Sequence, residues 1–407
     1  MLGRLVAPLK LLGTVVCLGL LGCGGTPDSY PSELRYPLRE DPLVYAVPNR
    51  IPPAPIEPGQ LDESIAQLPA LGGKLYFPKE LTESNQVSLR SALDDLFGTP
   101  ASPTVHDPLA EKLGWSDPQL IDGSKHFRRL CVQCHGLTGN GRGPTGLWIT
   151  PTPRDFRTGA FKFVSSKGSA PRKANRDDLL RTLRHGIPGT AMPSFAMLSD
   201  AELESLASYV QHLSSRGETE YRMMLVLLSE GETALDGSIA EVARDELSRI
   251  VREWQLADEE RIAPQAELTE LTDEERLQLA HLASVERGYR IFTGKETGAC
   301  ISCHENYGRI VAARYDMWGT QVRPANLTEP TYKGGKRPLD WYFRVRGGIA
   351  PSGMPAASHL NETQLLDVVH FIQALPYPRM LPPVVRSVVY PAESVQTTPP
   401  TTPSISP

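Results

Sequence analysis

Apolar positions along the chain fall into blocks with different periods. Leu11 to Leu21 is an almost continuous apolar run behind Arg4 and Lys10. It is short for a membrane span and fits the h-region of an export signal over residues 1–22. Residues 23–60 lose periodicity and gather proline, at Pro37, Pro42, Pro48, Pro52, Pro53, Pro55 and Pro58. That composition predicts an extended tether. Residues 61–119 carry some helical pattern and no recognisable motif. From 120 a helical period returns. The stretch "IDGSKHFRRL" reads as one helix, and Leu203, Leu206, Ala207, Val210 and Leu213 line a face of another, opened by the capping box Ser199-x-x-Glu202. Residues 120–215 are thus expected to form one small helical domain. Leu247, Ile250, Val251 and Trp254 predict helix within 216–279. A second helical domain is expected over 280–375, closing on a helix with Leu365, Leu366, Val368, Val369 and Ile372 behind Asn361-x-x-Gln364. Residues 376–407 are rich in Pro and Thr, and predict a disordered tail. The fold class is all-α.

Cysteine usage adds chemistry to this outline. Of the six cysteines, Cys17 lies in the apolar run and Cys23 just after it. The other four form two pentapeptides, Cys131-Val132-Gln133-Cys134-His135 and Cys300-Ile301-Ser302-Cys303-His304. Two thiols about one helical turn apart can each form a thioether to a haem vinyl group, and the following imidazole then meets the iron. A zinc site would want a second ligand pair close to the first. A thioredoxin-like pair would want a preceding strand and no following His. The pentapeptides therefore point to two covalently bound haems c. A haem is itself a large apolar body, which suits a chain with only 7% aromatic residues.

Each expected domain also offers a sixth ligand. "RTLRHGIPGTAMPSF" contains Met192 and "FRVRGGIAPSGMPAA" contains Met354. Both are Met-Pro in a Gly-rich loop just before the terminal helix, where a thioether can bind the iron opposite the histidine. His185, Met197, Met317 and His359 are the competing side chains. The order helix, Cys-x-x-Cys-His, loop, short helix, Met-Pro loop, terminal helix occurs twice, an internal repeat.

With these motifs both domains resemble class I cytochrome c domains. The first also has Cys134-His135-Gly136-x-x-Gly139-x-Gly141-x-Gly143-Pro144, Pro153-Arg154-Asp155-Phe156, and Phe161-Lys162-Phe163. It is similar to monohaem modules of respiratory oxidases and molybdenum-enzyme electron chains. The resemblance implies two such domains in tandem with a helical insert, His135/Met192 and His304/Met354 as axial pairs of low-spin haem, and electron transfer without bond-making chemistry. It implies that Pro144, with Pro324 as the second-domain counterpart, accepts a hydrogen bond from the proximal histidine, and that Arg154, Trp148 and Trp341 lie near haem propionates. Leu20-Leu21-Gly22-Cys23 resembles the bacterial lipobox, which implies lipid on Cys23 and an exported, periplasmic, membrane-anchored protein. The expected partners are redox proteins such as a terminal oxidase, a quinol-oxidising complex or a dehydrogenase. The alternative is a dihaem peroxidase-like enzyme, which would need an iron position open to peroxide, or a cytochrome subunit of a dehydrogenase or oxidase complex.

Charge bears on partners. Residues 218–275 hold 17 acidic and five basic residues, whereas 154–184 hold nine basic and three acidic. Two such fields could steer two different partners, the plainer reading being a solvated helical face. Nothing in the basic segment matches a nucleic-acid-binding signature.

Overall fold

The computed structural model describes residues 29–45, 61–108, 110–167, 172–265, 267–294, 300–310 and 313–391. Helices dominate. In chain order the first half has β1 (Leu43–Tyr45), α1 (Leu61–Ala66), β2 (Lys74–Tyr76), α2 (Glu83–Phe97), α3 (Asp117–Leu130), α4 (Val132–His135), α5 (Arg176–His185), α6 (Asp200–Ser229) and α7 (Ile239–Glu259). The second half has α8 (Asp273–Arg276), α9 (Leu279–Phe292), β3 (Arg314–Tyr315), β4 (Gln321–Val322), α10 (Pro338–Gly347), α11 (Glu362–Ala374) and α12 (Pro383–Val389). β1 pairs antiparallel with β2, and β3 with β4. The all-α expectation holds apart from these short pairs. Among the described residues no helix is long and apolar enough to cross a membrane.

Each half is organised by two helices that cross at a glycine. α3 meets α6 at Gly123, where a Cβ would lie 2.1 Å from the Ser205 carbonyl oxygen. α9 meets α11 at Gly288, where it would lie 1.9 Å from the Asp367 carbonyl oxygen. Four residues after each glycine an aromatic ring meets another edge-on: Phe127 on Tyr209, and Phe292 on Phe371, both at 5.3 Å between centroids. Such edge contacts add to the area the rings bury. The sequence places the small and large residues one helical turn apart, so backbone approach and ring packing share a face. Capping boxes at Ser199 and Asn361 start α6 and α11.

Several boundaries differ from those expected. The segment read as tether is partly fold: Tyr36 and Leu43 are fully buried, and the Tyr36 hydroxyl is 2.9 Å from that of Tyr209. The boundary placed at Ser215 falls inside α6, a single helix whose far half packs on α7. α2, from the unassigned region 61–119, packs on both. The tail expected to begin at 376 instead folds onto the second core, burying Leu381, Val385 and Val389, and the Tyr390 hydroxyl donates to the Leu375 carbonyl. Local composition could not reveal these long-range contacts. Residues 392–407 and Cys23 lie outside the described residues.

The two charged stretches meet each other. Lys173 pairs with Glu218 and, at 3.5 Å, Glu253; Arg261 pairs with Asp177; and the Arg176 backbone N–H donates to Asp258 at 2.7 Å. Part of the charge read as two external fields is thus paired within the chain.

Candidate haem-binding sites

The first pentapeptide follows directly from α3. The Cys131 N–H donates to the Phe127 carbonyl at 2.8 Å, and the N–H groups of Cys134 and His135 both return to the Cys131 carbonyl, at 3.1 and 2.9 Å. That turn puts two cysteines and the histidine on one tight coil. Both thiols are free, and burial pushes the Cys131 thiol up to about 12, so it stays protonated. Gly143 and Gly146 allow the following loop to press on the coil: a Cβ at Gly143 would stand 2.3 Å from the Gln133 carbonyl oxygen.

The His135 ring stacks on Phe156 at 4.6 Å, and its Nδ1 lies 3.2 Å from the Arg154 carbonyl oxygen. Burial lowers its pKa to about 4, so the ring is neutral at pH 7. A carbonyl only accepts, so Nδ1 carries the hydrogen and Nε2 keeps the lone pair that a metal needs. The second site repeats this. The Cys303 and His304 N–H groups return to the Cys300 carbonyl at 3.2 and 3.0 Å, and His304 Nδ1 lies 3.1 Å from the Ala325 carbonyl oxygen. Burial lowers the His304 pKa as well. The expected acceptors, Pro144 and Pro324, are corrected. Pro144 is exposed, and the acceptor in each half is the residue after a proline, in Pro153-Arg154 and Pro324-Ala325.

The methionine loops share one geometry. Gly186 and Gly348 end α5 and α10 with φ of 64° and 68°, a conformation open to glycine. A side chain at either would strike the carbonyl of the methionine six residues on, at 2.6 Å. The Ile187 N–H donates to the Met192 carbonyl at 3.1 Å and the Ile349 N–H to the Met354 carbonyl at 2.9 Å. Beyond the methionines, the Phe195 N–H donates to the Leu183 carbonyl and the Ala357 N–H to the Val345 carbonyl. Every residue in this set has its partner 162 positions later, through Ser199/Asn361 to Tyr209/Phe371. Met192 and Met354 are half-buried, while the rivals His185, His359 and Met197 are exposed. Met317 instead borders a small cavity with Pro153 and Arg154.

Trp148 is 76% exposed, and Arg154, expected near a propionate, lies over the Trp318 ring at 3.6 Å. Trp341 is buried with its ring edge-on to Tyr332. Sequence reasoning missed Phe156 as the ring against His135, although it stands in the quoted Pro-Arg-Asp-Phe run. It also missed the β3–β4 hairpin, for which the chain carries no turn signature beyond Trp318-Gly319.

Neutral imidazoles with an oriented Nε2, cysteine pairs on one turn and a thioether loop fit haem c. Among the described residues no three His, Cys, Asp or Glu side chains gather as a metal-ion set. Residues 118–210 match the family described as cytochrome c oxidase, cbb3-type, subunit III. They therefore form a cytochrome c-type domain, which implies covalently bound haem c and redox-protein partners. No curated protein matches the chain. Among solved structures, a chain of the reducing HAO-like protein complex of Kuenenia stuttgartiensis is similar at 21% identity and a TM-score of 0.44, over 62% of this chain and 95% of that one.

Proposed function

We propose that the chain is a dihaem c-type cytochrome that moves single electrons between redox partner proteins. Candidate partners are a terminal oxidase, a quinol-oxidising complex or a dehydrogenase. In this proposal lipid on Cys23 holds it at a bacterial membrane on the periplasmic side. The observation that carries the proposal is the repeat itself. Both halves hold a proximal imidazole on a backbone carbonyl, and a Met-Pro loop between two helices, with the loops in one 162-residue register.

Bound haem c supplies a one-electron ferric/ferrous couple. The residues do the rest. Cys131, Cys134, Cys300 and Cys303 would attach the two groups. His135 and His304 are kept neutral by burial and aimed by their Nδ1 bonds. Met192 and Met354 would supply thioethers, which favour a high potential. Helix crossings at Gly123 and Gly288 keep the frame stiff, which suits a carrier that must not change ligands.

The test is an optical and paramagnetic-resonance titration of the haem-loaded protein, with a haem count per chain, in the presence and absence of peroxide. Two low-spin His/Met signals unchanged by peroxide are expected. A high-spin or peroxide-reactive signal would move the peroxidase alternative to the front.

A further inference from the structure

The loop that leads from His304 to Ala325 separates histidine and acceptor by 21 positions, against 19 from His135 to Arg154, and it does not stay in its own half. Its β3–β4 hairpin ends in Asp316-Met317-Trp318-Gly319-Thr320, and that tip touches both candidate haem sites. On one side, the Arg154 guanidinium lies over the Trp318 ring, 3.6 Å from its centroid, and 3.9 Å from Asp316 Oδ2. The Trp318 indole N–H donates to the Thr158 hydroxyl at 2.9 Å, and Lys162 donates to Asp316 at 3.0 Å. Arg154 is the residue whose carbonyl orients His135. On the other side, the Met317 N–H donates to the Pro351 carbonyl at 2.8 Å. Pro351 belongs to the short loop closed by the Ile349–Met354 bridge.

The tip is built to be rigid. Asp316 is fully buried and accepts from the Trp318 and Thr320 N–H groups at 3.1 and 3.0 Å and from the Thr320 hydroxyl at 2.6 Å. Gly319, at φ 75°, leaves room for Ile65 and Leu68 behind it. A buried carboxylate facing two cations and three local donors is costly to desolvate and to disturb, so it holds one geometry. A second tie runs parallel: Arg172, from the first half, donates to the Gly347 and Gly348 carbonyls at 2.7 and 3.2 Å, where the Met354 loop begins.

We infer that the Asp316–Thr320 tip is a positioning strut that sets the His135 carbonyl acceptor and the Met354 loop together, so that the redox potentials of the two sites are coupled through it. The inference rests on the dihaem proposal. Arg154 and Trp318 act through His135, and Met317 acts through the Met354 loop; neither needs to touch a haem. Because a proximal hydrogen bond tunes the iron it serves, loosening one end of the strut shifts one potential and loosening the whole tip shifts both.

The test is spectroelectrochemical titration and paramagnetic resonance of the purified, haem-loaded full chain, with signals assigned through Met192→His and Met354→His variants. Arg154→Ala keeps the carbonyl and removes the tie, and should shift the first site's potential and g-values while leaving the second nearly unchanged. Trp318→Ala should shift both. Trp318→Phe, which keeps a ring under the guanidinium, should restore most of the wild-type values, and Arg154→Ala with Trp318→Ala should shift the first site no further than Trp318→Ala alone. If either alanine variant fails to fold, Trp318→Phe and Arg154→Lys carry the comparison, the lysine being expected to shift the first site because it cannot stack flat. Two haems per chain with potentials and g-values unmoved in folded variants would overturn the strut alone. Fewer than two haems in the wild type would overturn the dihaem proposal and the strut with it.

Discussion

The two halves carry the same site on different supports. In the first, the loop after the histidine turns on Gly136, Gly139 and Gly141, all with positive φ. In the second, Asn306 and Tyr307 take φ of 46° and 63° without glycine, inside a short helical turn. His135 has Phe156 stacked on it; the corresponding position, two residues after the acceptor carbonyl, is Leu327 in the second half. Around the first site α2, α7 and the segment from Tyr36 form a broad shared core, whereas the second site has α12 and its own helix pair. One ligand geometry is thus reached from a permissive backbone in a large core and from a strained one in a small core. If both halves bind haem as proposed, the second, with its smaller core, is the one expected to lean more on its cofactor.

The largest expected effect follows from that asymmetry. Cys300→Ala with Cys303→Ala should halve the covalent haem per chain and melt the second half, seen as lost helical circular dichroism. Cys131→Ala with Cys134→Ala should also halve the haem but leave most helix intact. Equal helix loss in the two variants would break the contrast. Next come the crossings. Gly288→Ala and Gly123→Ala each force a contact under 2.2 Å onto backbone, and should cost about 1–3 kcal/mol, read from thermal or denaturant melts. The Gly288 change should be the larger, since its contact is tighter and its core smaller.

Acid should act on the first half through His212. This residue is fully buried, its Nε2 facing the Phe97 and Thr104 carbonyls, and burial lowers its pKa to about 4. The unfolded chain binds a proton there near pH 6.5 and the folded chain does not until about pH 4. Its contribution is therefore complete above pH 6.5 and is lost as the pH falls towards 4. His212→Gln should flatten that limb of the stability curve; a limb of unchanged slope would exclude His212 as its source. The position 162 residues on is Ala374; the second half's histidine whose pKa burial lowers to about 4 is His370, so its acid limb would answer to that residue instead. The smallest effect is at the strained turn. Asn306→Ala, which puts a residue less tolerant of the left-handed region there and removes the bond from Arg309, should cost about 1 kcal/mol.

What could be seen in the sequence was whatever local chemistry dictates. The Cys-x-x-Cys-His spacing dictates a tight coil, a Gly-rich flank dictates a loop, and amphipathic helices announce their faces, so the Cys131–His135 coil, the loops that carry Met192 and Met354 and the terminal helices were legible as local structure. Contacts between distant segments were not. Nothing around Tyr36 signals that it packs beside Tyr209, and nothing in 200–229 marks where one unit's helix becomes the next unit's support. Pro144 was the natural acceptor by family pattern, but the choice between it and Arg154 depends on how residues 140–156 pack, which spacing alone does not encode.

The burial of Tyr30 and Tyr36 sets a distance. If lipid sits on Cys23, the chain from there to Tyr30 spans at most about 25 Å when fully drawn out. A leash that short confines the first half to the layer of water next to the lipid head groups, with little freedom to tumble. An electron partner embedded in the same bilayer would then be met by sideways diffusion in two dimensions, and a freely soluble one would have to come down to the surface to reach it.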